Sequence, residues 1–516
     1  MMRRYAIGFL GLFLWAALAR PAEAPGKLVK ELWDAAYLEG NKVGYFRTTV
    51  HQTERDGHEL LRTTVELNLT VKRFNTLVNL RMETGTEETP DGKVTAVFMR
   101  QFFDRGKQLV LVGTVAGNQL HVKVDGGRID KKIPWNDQVI GLQKQERFFR
   151  EKQAKPGDRF TYLSYEPTLN TVVTIRAVVK DEEEVDVLRP RASGGKVGVE
   201  RVKERLLRVE MVPDKVEVPG SSVQLPGMVS WLDKELMPVR SQMELQPLGK
   251  VTFYRTSREI ATGQGGTVAQ VADLGLAALI PLRKAISRPY DTRSAVYRIT
   301  VKGDDDVTTT FAQDDRQQVK KVDRNTLELH VRSIREPGSA EDAGRPGDEF
   351  LESCYYLKSD DPEVQRLARQ AVGSETDPWK KALAIERWVH NKMRLNNGVA
   401  FAPADQVARD LQGDCRQHAI LTAAMCRAVG VPSRTAVGLV YVNDRQRGPV
   451  LGFHMWTEVW VRGRWLAIDA TLGQGFVGAT HLKIADHSWH QTESLTPLLP
   501  VARVLGKIAV EVLSVE

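Results

Sequence analysis

The feature that most constrains this chain is a change of hydrophobic period part-way along it. From about Leu28 to Ala261 apolar and polar residues alternate in short runs, as in Thr63 to Val71, Val94 to Phe102 and Thr171 to Val179. Turn signals separate the runs: Asp56-Gly57, Asp91-Gly92, Asp125-Gly126-Gly127 and Lys155-Pro156-Gly157. A period of two turns one side of each run toward a core, and Asp-Gly pairs suit tight hairpins, so a large antiparallel sheet is expected here. Gly227 to Arg255 continues it as long strands, and the stretch near Gln138 to Gln153 reads as a short helix wrapped by the sheet. Beyond Asp361 the period becomes three to four, that of helices with one apolar face. Separate blocks of the two kinds imply an α+β chain.

At 516 residues the chain is too long for one ordinary core. The expected divisions are a signal peptide over 1–24, a β-rich N-terminal domain over 25–262, and a linker or helix over 263–290. A second β-rich segment over 291–358, a catalytic domain over 359–498 and a C-terminal strand segment over 499–516 follow. Thr262-Gly263-Gln264-Gly265-Gly266 marks a break, and the Ala/Leu-rich run Thr267 to Ile286 reads as a linker helix. Hydrophobic residues make up 42% and charged residues 27%, which excludes a disordered chain. The net charge of +8 is spread along the sequence, so a solvated surface is expected and no nucleic-acid partner.

Arg3 and Arg4 precede the apolar run Tyr5 to Ala19, and Ala22-Glu23-Ala24 supplies small residues at a cleavage site. This predicts export to the periplasm or outside the cell, cleavage after Ala24, and no stable membrane insertion afterwards. Three cysteines, Cys354, Cys415 and Cys426, are too few for a disulfide-built exported protein, and their odd number leaves a free thiol.

Asp361-Pro362 and Asp377-Pro378 each pair an N-cap acceptor with Pro at the first helical position. Helices are therefore expected near 362–372, 378–393 and 403–411, with Ala382, Ile385, Val389 and Met393 as a buried stripe. Gly413-Asp414-Cys415 opens a fourth helix, Cys415 to Val429, stopped by Gly430 and Pro432. Free N–H groups and the helix dipole at that start favour a thiolate, and the Cys415 N–H could help to hold an oxyanion. Cys426, eleven residues on, would be about 16 Å away, too far for a disulfide, and reads as core.

Strands follow: Arg434 to Val442, then a hairpin of His454 to Val461 and Arg464 to Ala470 turning at Arg462-Gly463. Pairing Val461 with Arg464 sets Trp460 opposite Trp465 and puts His454, Trp456 and Asp469 on one face. A carboxylate there can orient an imidazole and stabilise its charged form. Cys415 as nucleophile, His454 as general base and acid, and Asp469 as orienter then form a thiol triad.

The runs GDCRQHAILTAAMCRAVGVPSR and GFHMWTEVWVRGRWLAIDATLG, with Ala479-Thr480-His481 beyond them, resemble the transglutaminase-like superfamily, most of all its exported bacterial members. The resemblance covers roughly Asp361 to Asp486 and implies the same three roles for Cys415, His454 and Asp469. It implies a papain-like or transglutaminase-like domain, with the Cys-bearing helix packed on an antiparallel sheet. It also implies acyl transfer through a thioester on amide bonds of a protein or peptide, as peptidase, amidase or transglutaminase. Water is always present, which tips the balance slightly to hydrolysis. No calcium-loop pattern or paired zinc cysteines accompany the motifs, and His481, His487, His490 and Asp486 lack firm metal spacing, so no metal or cofactor is expected. Asn396 and Asn397 are the upstream candidates for a second oxyanion donor. His418 reads as a surface or packing residue, and the tryptophans as core. The alternative from another class is a non-catalytic module whose β-rich region binds an envelope protein.

Overall fold

The computed structural model describes residues 26–516 apart from 103–107, 125–128, 194–195, 219–220, 246–248, 264–272, 304–305, 339–343, 400, 491 and 493–495. The expected signal peptide, the turn at 125–127 and most of the glycine-rich break lie outside the described residues. No helix among the described residues is long and apolar enough to cross a membrane.

The protein is strand-rich, and its dominant element is one antiparallel sheet. Among the described residues that sheet has fourteen strands between Lys27 and Thr256. The first eight, from Lys27–Leu38 to Ile129–Pro134, form a meander. The first strand then closes onto Gly249–Thr256, beyond which lie Pro238–Leu245, Met228–Leu232, Lys196–Pro213, Thr171–Ser193 and Arg159–Glu166. The helix Leu142–Glu151 buries Phe148 and Phe149 against Ala177, Val179, Leu207, Val209 and Leu232. Burial of each ring is worth roughly 1.5–3 kcal/mol. Its N-terminus has no local side-chain cap. The buried Glu88 of the sheet substitutes, accepting from the N–H groups of Gln143 at 2.9 Å and Lys144 at 3.1 Å.

The strand expected to stop near Val179 runs on to Ser193. A register shift between Val179 and Glu182 re-phases it, and the charged residues beyond find cross-strand partners. Lys203 reaches Glu184 at 3.2 Å, Arg205 reaches Glu182 at 3.1 Å and Arg189 reaches Glu204 at 2.6 Å. Glu182, Glu184, Lys203 and Arg205 lie on the solvated side, while Val187 and Leu206 are buried with Trp231 and Val239 on the other.

Of the linker helix expected over 267–286, residues 273–286 are described, and over these the chain does not run as one helix. They hold a short turn of helix, Leu274–Ala277, and the strand Ile280–Pro281, which pairs with Leu451 and Val450. Pro281 has no N–H to give a further helical turn, and it fits an edge strand.

The helices Pro362–Val372, Pro378–Lys392, Ala404–Asp410 and Cys415–Ala428 follow. Asp361 caps the first by accepting from Glu363 N, and Asp377 caps the second by accepting from Lys380 N, both at 2.9 Å. Ala382, Ile385, Val389 and Met393 are buried in the core these helices share. A five-stranded sheet runs in the order Ile280–Pro281, Gly448–Val461, Ser433–Asp444, His481–His487, with Arg464–Ile468 paired to Gly448–Val461. A four-stranded sheet packs beside it, in which Ser294–Val301 lies between Thr326–Arg332 and the C-terminal strand Ile508–Val515.

Candidate active site

Cys415 is half-buried at the first position of its helix. Asp414 caps that helix: its Oδ1 accepts from Arg416 N at 2.9 Å, and Gln417 Oε1 accepts from Asp414 N at 3.1 Å. Gly413 makes the tight entry. A Cβ there would lie 2.4 Å from Gln417 Cβ, so only glycine lets the capping side chain fold back. Asp414 is buried, which raises its carboxyl, but Arg416 and Arg73 outweigh burial and hold it below the usual range. The rest of the helix is buried from Gln417 to Arg427. It lies against the strand Gly448–Val461, where Thr457 Oγ1 donates to Ala419 O at 3.0 Å.

The hairpin has the register the alternation predicts, with Val461 opposite Arg464 and Trp460 opposite Trp465. Asp469 follows its second strand and is almost wholly buried. Asp469 Oδ1 accepts from Thr471 N at 2.9 Å and Leu472 N at 3.3 Å. Asp469 Oδ2 meets His454 Nε2 at 2.7 Å. Cys415 lies near enough to His454 to act on its charge. With Nε2 on Asp469, Nδ1 is the nitrogen left to face the sulfur. Burial disfavours a charge on His454, but Asp469 and then Cys415 raise it to about 10, while His454 draws the Asp469 carboxyl far down. The three residues singled out from the sequence are thus brought together.

A fourth residue joins them. His481 is fully buried, and its Nε2 lies 3.0 Å from the same Asp469 Oδ2. Burial lowers its pKa to about 4. The sequence had grouped it with His487, His490 and Asp486, but these have other partners. His487 Nδ1 accepts from Trp489 N at 2.7 Å, His490 pairs with Glu352, and Asp486 pairs with Arg434 and Lys483. Ala479-Thr480-His481 marked His481 only as part of the resemblance, because its partner Asp469 reaches it only in the folded chain.

His454, Asp469 and His481 present ligand-type atoms within 4.8 Å of one another. Donors around a tetrahedral ion with bonds near 2.0 Å stand about 3.3 Å apart. The 2.7 and 3.0 Å separations here are those of hydrogen bonds made directly to Oδ2.

His418, expected as a surface or packing residue, is buried, with Nδ1 2.8 Å from Asp414 O. Asn396 is engaged elsewhere, its Nδ2 donating to Gln412 Oε1 at 3.3 Å and its Oδ1 accepting from Gly398 N at 2.9 Å. Trp456 is buried beside both histidines, 6.3 Å from the His454 ring and 5.3 Å from that of His481. Trp460 and Trp465 pack on each other, half-buried, and Arg434 covers Trp465. Under the sheet, buried Glu458 is held by Lys483 at 3.1 Å and Arg434 at 2.8 Å.

Residues 365–470, which include Cys415, His454 and Asp469, match the Transglutaminase-like superfamily. The chain carries a transglutaminase-like domain. Kyphoscoliosis peptidase of Mus musculus is 34% identical over 87 residues, 16% of this chain and 13% of the mouse protein. An uncharacterized protein of Haemophilus influenzae is 29% identical over 96 residues, 18% of this chain and 26% of that one. The chain thus spans about a quarter or less of the length of these relatives. Among solved structures, a proposed cysteine protease from Cytophaga hutchinsonii aligns at 19% identity with a TM-score of 0.29, over 44% of this chain and 85% of that one. A beta-barrel-like protein from Brucella abortus aligns at 13% identity with a TM-score of 0.32, over 45% of this chain and 97% of that one. Overlaps this loose bear on neither fold nor activity.

Proposed function

We propose that this protein is an exported thiol enzyme that acts on amide bonds of proteins or peptides through a thioester on Cys415. One observation carries the reading: His454 sits on buried Asp469 at 2.7 Å and feels Cys415, which starts a helix. In the proposed reaction the Cys415 sulfur attacks the amide carbonyl carbon and a C–S bond forms. The Cys415 N–H, which needs no intrahelical partner at the first helical position, can face the developing oxyanion. His454 gives its proton to the nitrogen as the C–N bond breaks, and the amine leaves. Water or a second amine then attacks the thioester. His454 takes its proton, the C–S bond breaks, and an acid or a new amide departs. Water is the acceptor we favour. Export rests on the Arg3-Arg4-led apolar run ending at Ala24, and the mature chain should begin near Pro25.

The test is mass spectrometry of the purified protein after incubation with glutamine-containing and generic peptides, with and without an added amine. An acyl adduct on Cys415, absent from Cys415→Ala, is the expected result. Release of free acid identifies hydrolysis and release of amide identifies transamidation. A folded protein that forms no adduct under any of these conditions overturns the reading in favour of a non-catalytic module.

A further inference from the structure

A carboxylate oxygen has two lone pairs, and Asp469 Oδ2 uses both. One is on His454 Nε2 at 2.7 Å, the other on His481 Nε2 at 3.0 Å, while Oδ1 is held by two backbone N–H groups. We infer that His481 is a positioning residue of the thiol site: by occupying half of Asp469 Oδ2 it fixes the carboxylate and limits its hold on His454. The inference rests on the catalytic reading of Cys415, His454 and Asp469.

The protonation of His481 follows from its partners. A carboxylate only accepts, so Nε2 carries the hydrogen and Nδ1 the lone pair. His481 Nδ1 is buried with no hydrogen-bond partner. A second proton there would place a buried cation with nothing to receive it, beside Arg316 and His454, both of which disfavour it. Of the other groups around Asp469, Glu386, Tyr290 and His418 also act on or feel its charge. His481 is therefore a neutral donor while His454 is charged. Its ring is held in place: the His481 carbonyl accepts from Arg316 Nη2 at 3.0 Å, and the Trp456 ring meets it edge-on at 86°.

The consequence is a balance. Asp469 must orient His454, yet His454 must give its proton to the departing amine. A carboxylate acting on His454 alone would hold that proton more tightly. A second neutral donor on the same oxygen weakens that hold without moving the carboxylate.

The experiment uses the full chain and three variants, His481→Gln, His481→Asn and His481→Phe. The Gln amide nitrogen can reach the place of Nε2; the Asn amide and the Phe ring cannot supply that donor. The probe is iodoacetamide, and the readout is the pH dependence of alkylation at Cys415, whose upper step follows loss of the His454 proton. Adduct formation with a generic peptide is followed in parallel. In His481→Asn and His481→Phe the upper step should move to higher pH by about half a unit or more. Peptide acylation should slow by about ten-fold at an unchanged half-saturating concentration. His481→Gln should restore both. An upper step that stays in place or moves down in folded His481→Asn overturns the inference, and thermal unfolding establishes which variants are folded. If His481→Phe does not fold, the comparison of Asn with Gln decides. Cys415→Ala separates the two claims: adduct formation that survives it defeats the catalytic reading, whereas its loss alongside wild-type behaviour of all His481 variants defeats the present inference alone.

Discussion

Arg73, at the end of a strand of the N-terminal sheet, forms an ion pair with Asp414, the residue that caps the helix starting at Cys415. Its neighbours Phe74 and Asn75 donate their N–H groups to Asp273 at 2.8 and 2.6 Å. The large sheet thus touches the residue adjoining Cys415. Asp414→Ala should remove the cap and leave the partly exposed Arg416 without its carboxylate partner, at roughly 1–3 kcal/mol of stability. Arg73→Ala leaves Asp414 paired with Arg416 and should lose only about 1 kcal/mol. Urea midpoints of both single variants and the double variant check this. A coupling energy of zero would mean that the ion pair carries no stability.

Cys415, His454 and Asp469 are expected to act as a unit. Cys415→Ala should abolish thioester formation, and His454→Ala should nearly do so. Asp469→Ala should retain some activity, because the carboxylate orients and stabilises the imidazole but forms no bond to substrate. The double variant His454→Ala plus Asp469→Ala should be little worse than His454→Ala alone. Full activity in a folded Asp469→Ala protein would sink the assignment. Strictly multiplicative losses would give Asp469 an independent role.

Among the three thiols, Cys415 should react first with limiting iodoacetamide at neutral pH. Cys426 is wholly buried, and burial pushes its thiol far up. Burial also raises the Cys354 thiol, although Arg427 opposes this. Cys415 is half-exposed at its helix start, facing His454. Peptide mapping after brief labelling gives the order, and equal labelling at Cys354 would count against an activated Cys415.

Stability should fall on the alkaline side through His454. Its folded pKa, about 10, lies above the ordinary value of 6.5. The charged form is thus favoured by folding, and its contribution is complete below about pH 6.5. It is lost as pH rises from there through about 10. Urea midpoints of wild type should therefore drop over that window by more than those of His454→Gln. Parallel profiles would show that His454 gains no stabilisation from Asp469.

How much of this could be read from the chain depends on the distance between partners in sequence. The caps at Asp361 and Asp377, the helix opening at Cys415 and the hairpin at Arg462-Gly463 are local: each partner lies within a few residues. Once that hairpin register is set, alternation puts His454 and Asp469 on one face, so the imidazole–carboxylate pair was also legible. The sequence by itself thus determined the helix start at Cys415, the pairing of His454 with Asp469 and the elements that hold them. The tertiary structure alone decided that Asp469 has a second histidine, His481, that Arg73 reaches Asp414, that Ile280–Pro281 becomes a sheet edge, and that Ile508–Val515 pairs with Ser294–Val301. The reason is physical. Backbone hydrogen bonds between strands are the same for every residue but proline, so the identity of a distant pairing partner is not written in either strand. It is settled by which apolar faces can be buried together, and the polar contacts of His481 and Arg73 follow from that packing.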